Sequence, residues 1–168
     1  MNRPEVVPEN FKDELRRRLV GKVAVMGIGN TLRGDDGFGV FLVKSLESGR
    51  LPDHLGLFVC EMTPENFVGP LTEFEPDTIV MVDAAELSEP PGSVRLINAQ
   101  EIAESGMTTH NLSLRLLARM LESATNATVV LLAVQPKIVS FGTELSPEVS
   151  QTLRYLTESF QQVFRRET

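Results

Sequence analysis

VAVMGIGNTLRGDDGFG, residues 23–39, begins as an apolar run, turns through Gly27 and Gly29, and delivers two adjacent acids, Asp35 and Asp36. An amphipathic segment starts immediately after them. An apolar run that passes through glycines into a helix is the opening of a β–α unit. The turn has the outline of a phosphate-binding loop, but it puts negative charge where a phosphate needs Lys or an open helix N-terminus. A loop built this way attracts a cation.

Outward from this stretch, strand-like and helix-like segments alternate. Strands are predicted over 22–28, 56–61, 77–83, 93–97 and 128–134, most of them nearly continuous apolar runs. Such runs mark strands buried on both faces of a mainly parallel sheet. Helices are predicted over 37–48, from Thr63-Pro64 onward, over 111–122 and over 147–165, where Ser146-Pro147-Glu148 supplies a start signal. Phe11, Leu15 and Leu19 recur every four residues, which predicts a short amphipathic helix that either packs on the rest of the chain, the favoured role, or docks a partner. The expected organisation is one α/β domain over 1–168, with residues 1–20 as an N-terminal helical extension.

Composition narrows the partners. The 168 residues are 42% hydrophobic and 23% charged, enough for one core that buries roughly two-thirds of the unfolded surface. A net charge of −7 argues against nucleic acid and anionic membrane, and favours a metal ion or a basic protein surface. The single cysteine, Cys60, permits no internal disulfide and suits a reducing cytoplasm. No apolar stretch is long enough for membrane insertion, and the N-terminus lacks the apolar core of a secretory signal.

Open α/β sheets bind ligands beyond the carboxyl ends of their strands. Asp36 follows the first strand, Asp83 ends the strand 77–83, and His110 precedes the helix at 111. Two carboxylates and an imidazole suit a divalent transition metal with positions left open. Nickel, zinc and cadmium all satisfy such a set, since affinity separates them poorly. Each residue also has a plainer role. Asp36 complements the dipole of the helix after it, worth about 0.3–1 kcal/mol, although one helix start needs only one of the two acids. Asp83 caps a turn, and His110, beside Thr108, Thr109 and Asn111, is a satisfied surface histidine. His54 reads as exposed and Cys60 as a small buried hydrophobe. Asn30 reads as a loop holder through side-chain to backbone bonds, and Gly39 as the point where a helix packs close on the sheet.

Other chemistries lack their parts. Leu32 stands where a dinucleotide fingerprint needs its third glycine, and Gly29-x-x-x-x-Gly34 leads into Asp-Asp rather than Lys-Ser/Thr. There is no G-x-S-x-G elbow and no H-E-x-x-H helix.

Taken together, GIGNTLRGDDGFG, IVMVDAAE at 79–86, MTTHNLSL at 107–114 and AVQP at 133–136 resemble the nickel–iron hydrogenase maturation endopeptidases in order and spacing. TTHN and PENF at 64–67 place the resemblance nearest the branch that processes the large subunit of the formate-hydrogenlyase type of hydrogenase. The resemblance covers roughly residues 21–158. It implies an α/β, three-layer sandwich around a mainly parallel, twisted sheet of about five strands. It also implies that Asp36, Asp83 and His110 meet nickel already inserted in the hydrogenase large-subunit precursor, with zinc or cadmium as substitutes in crystals. The implied reaction removes a C-terminal peptide from that precursor. A non-catalytic nickel-binding chaperone and a general metallopeptidase on the same fold are the rival expectations.

Overall fold

The computed structural model describes residues 2–104 and 111–165. Its elements run α1 (Phe11–Arg18), β1 (Val23–Ile28), α2 (Phe38–Glu47), β2 (Leu55–Glu61), α3 (Val68–Phe74), β3 (Thr78–Ala84), β4 (Val94–Asn98), α4 (Asn111–Thr125), β5 (Thr128–Val134) and α5 (Pro147–Phe164). The five strands form one sheet in the order β2-β1-β3-β5-β4. The first four are parallel, and β4 runs antiparallel to β5 at the edge. All five predicted strands are present, each within a residue or so of its expected bounds.

Alternation along the strands sorts the core into two layers. Val23 and Val25 of β1, Val80 and Val82 of β3, and Leu132 and Val134 of β5 face one side, where they meet Phe38, Leu42, Leu156 and Phe160 of α2 and α5. Ala24, Met26, Ile79, Met81, Val129 and Leu131 face the other, against Leu71 of α3 and Leu114, Leu117 and Leu121 of α4. Side chains that alternate between two buried faces require cover on both sides, which the helices supply. The result is a three-layer α/β sandwich. Phe11 and Leu15 of α1 are buried in the first layer, so the N-terminal helix packs against α5 as its spacing predicts.

The helical segment expected from Thr63-Pro64 is divided: a 3-10 turn at Pro64–Phe67 precedes α3. The connection from β1 to β2 crosses one face through α2, and the connection from β2 to β3 returns over the other through α3. The path therefore reverses beside β1, and the crevice between the carboxyl ends of β1 and β3 is the switch point where such sheets hold ligands.

Gly39 brings α2 into that crevice's wall. A Cβ at this position would lie 2.1 Å from the Val82 carbonyl oxygen and 2.5 Å from that of Ile28. Only glycine permits so close an approach of helix to sheet.

Candidate active site

The loop between β1 and α2 is held from three directions. Asn30 Oδ1 accepts from the Leu32 amide at 2.9 Å, as a loop-holding asparagine should. The Gly29 amide donates to the Glu61 carbonyl at 2.9 Å, tying the end of β1 to the end of β2. Gly34 and Gly142 form a third tie, with the Gly34 amide on the Gly142 carbonyl at 2.7 Å.

Within this frame the two adjacent acids part company. Asp35 is fully buried and turned inward. Its carboxylate accepts from the amides of Lys137 (2.8 Å), Ile138 (2.9 Å) and Ser146 (2.7 Å) and from the Ser146 hydroxyl (2.8 Å). Four donors satisfy it without a cation. Asp36 is half-buried, accepts from the Asn30 amide at 3.1 Å, and faces a cleft.

Asp83, at the carboxyl end of β3, lines the same cleft and is only 5% exposed. Gly29 lies between the two acids. A Cβ there would fall 3.7 Å from Asp83 Oδ1 and 1.9 Å from the Asp36 carbonyl oxygen, and the residue has φ +135°. Burial first, and the neighbouring Asp36 charge second, hold the Asp83 carboxyl well above the usual carboxylate range, while the Ala84 amide pulls the other way. Two carboxylates in a crevice of low dielectric repel each other, and a cation between them relieves both.

The cleft has a volume of about 440 Å³. Glu61, Met62, Pro64 and Glu65 form one wall, and Ser113, Leu114, Leu116, Leu117 and Met120 of α4 form another. His110 lies outside the described residues, as does the whole of MTTH at 107–110. Ser113 and Leu114, three and four positions after it in sequence, line the cleft. Among the described residues, no three His, Cys, Asp or Glu side chains are placed to hold a metal ion together.

Sequence reasoning missed Glu61 and Glu65 as part of this site. Glu61 has φ 53°, a left-handed conformation unfavourable for a residue with a side chain, and it follows a register shift between β1 and β2. Nothing in CEMT signals that geometry. Gln135 of AVQP also acquires a definite role. Its buried side-chain oxygen accepts from the Leu87 amide at 2.7 Å, and its Nε2 donates to Glu86 at 3.0 Å, so it pins the loop that follows Asp83. Cys60 is buried and His54 exposed, each as its context predicts.

This geometry can be compared with known proteins. The family model described as HycI, hydrogenase maturation protease, matches residues 42–162. The chain belongs to that family. It is 33% identical over 127 residues to a Methanocaldococcus jannaschii protein provisionally named a hydrogenase maturation protease, covering 71% of this chain and 75% of that one. It is also 33% identical over 115 residues to the hydrogenase 3 maturation protease of Escherichia coli K12, covering 68% and 72% of the two chains. The crystal structure of the [NiFe] hydrogenase maturation protease HycI from Thermococcus kodakarensis superposes with a TM-score of 0.84 at 27% identity, covering 91% of this chain and 99% of that one. Membership makes this chain a hydrogenase maturation protease, with the five-stranded sandwich of its relatives. Among the described residues no helix is long and apolar enough to cross a membrane.

Proposed function

We propose that this protease removes a C-terminal peptide from a nickel-loaded hydrogenase large-subunit precursor, and that Asp36, Asp83 and His110 recognise the bound nickel. One observation carries the reading. Asp36 and a buried Asp83 face one cleft at the switch point, and no Lys or Arg is among its described lining residues. A carboxylate pair so placed lacks only a positive partner. Nickel held by the precursor's own ligands supplies it, so these side chains complete a site only when substrate arrives. The ion is substrate cargo rather than a resident cofactor, and zinc or cadmium satisfies the same donors.

A cation held by Asp36, Asp83 and His110 would polarise the scissile carbonyl or activate a water molecule. In the alternative route the ion would serve recognition alone, and an aspartate would take the proton of a free water that attacks the carbonyl. A cytoplasmic setting belongs to the same reading, because a chain with one cysteine suits a reducing compartment.

The test compares nickel-loaded with nickel-free precursor and follows release of the C-terminal peptide. Only the loaded form should be cut; equal cleavage of both would defeat recognition through the metal. His110→Ala should abolish processing without changing the melting temperature, and retained activity would remove His110 from the site.

A further inference from the structure

An ion seated at Asp36 and Asp83 takes up only a small part of a cavity of about 440 Å³. Most of the remainder faces α4. Ser113, Leu116, Leu117 and Met120 recur at i, i+3, i+4 and i+7, a single helix face turned toward the cleft. Leu117 is buried at its base, whereas Leu116 and Met120 are 52% and 49% exposed. Met62, 66% exposed, belongs to the other wall. Single exposed apolar side chains are ordinary, but three gathered around one cavity form a patch that a ligand covers.

Charge decides what kind of ligand. Glu61 and Glu65 join Asp36 and Asp83 in the lining, with no Lys or Arg among the described lining residues. This field rejects an acidic segment and accepts one that is neutral or brings a positive centre. A peptide bond delivered to Asp36 and Asp83 also brings its neighbouring residues alongside α4.

We propose that the side of the cleft formed by Met62, Leu116 and Met120 is a specificity groove for a large aliphatic or aromatic side chain of the substrate, next to its metal-bearing segment. The proposal rests on the reading of this cleft as the place of peptide cleavage. Two methionines suit such a groove, because the unbranched thioether adapts to more than one side-chain shape.

The experiment uses the nickel-loaded precursor with Leu116→Ser and Met120→Ser, singly and together, and measures precursor binding by titration alongside cleavage kinetics. The double variant should raise Kd and KM about tenfold or more, the scale of burying one large apolar side chain, with kcat and the melting temperature little changed. Val20→Ser removes an equally exposed apolar side chain at the amino end of β1 and should alter neither constant. On the substrate side, replacing one apolar residue near the cut by Ser should reproduce the loss with the parent enzyme and add little to it with the double variant. Unchanged binding in the double variant overturns the groove. A parent enzyme that binds the precursor without cutting it, alongside a double variant that binds it weakly, keeps the groove and removes the cleavage reading. A parent enzyme that does not bind the precursor removes the groove as well.

Discussion

Ser146 reaches Asp35 twice across 111 positions, with its amide on Oδ1 at 2.7 Å and its hydroxyl on Oδ2 at 2.8 Å. With the amides of Lys137 and Ile138 on the same carboxylate, this buried acid fastens the loop before α2 to the loop before α5. Its neighbour Asp36 is left facing the cleft. One acid is an internal clamp and the next is available to a ligand.

Asp35→Ala should therefore be costly. It strands three amides and a hydroxyl, each worth roughly 1–3 kcal/mol when buried without a partner. A loss of about 3 kcal/mol or more is expected in denaturant unfolding, with Asp35→Asn losing less because one acceptor oxygen remains. A cost below about 1 kcal/mol for Ala would show that these bonds contribute little.

Gly39→Ala should reverse the usual preference for Ala in helices, which is worth about 1 kcal/mol. The added methyl meets the carbonyl oxygens of Val82 and Ile28, neither of which can swing away as a side chain does. Destabilisation of about 2 kcal/mol or more is expected. A melting temperature equal to or above that of the parent would mean that α2 does not press on the sheet.

Asp83→Asn tests the electrostatics of the cleft. The parent carboxyl has a raised folded-state pKa, so its contribution to stability is full only where it is protonated in both states, below about pH 4. That contribution is lost as pH climbs toward the folded value. Asn is neutral throughout, so the variant should melt higher than the parent at neutral pH, with the margin closing as pH falls toward about 4. Thermal melts across this range are the measurement, and a margin independent of pH would contradict the assignment.

Burial pushes the Cys60 thiol up to about 12. Folded protein at mildly alkaline pH should therefore resist alkylation by iodoacetamide, with rapid modification only after denaturation. Labelling of the native state at the rate of a free thiol would place Cys60 nearer the surface.

The sheet was legible because its central strands are buried on both sides. Ile79, Val80, Met81 and Val82 cannot be anything but core, and 128–134 matches its predicted bounds to the residue. The direction of β4 was not legible. Val94–Asn98 reads like any short strand, and its antiparallel course goes with a return loop pinned by Gln135, the residue just after β5. The different fates of Asp35 and Asp36 were equally hidden. Both acids precede the same helix, and what separates them is a set of donors about a hundred residues further along. The turn at Glu61 that brings it into the cleft was hidden because left-handed backbone is ordinarily signalled by glycine, and here the position carries a side chain.

The Asp35 clamp also joins parts of the chain that are far apart in sequence. Its donors come from positions 137, 138 and 146, so the segment bearing Asp36 gains the last of its ties only from the final fifth of the chain. The loop that carries Asp36 is thus assembled from both ends of the sequence, and a truncation before Ser146 removes its anchor as well as α5.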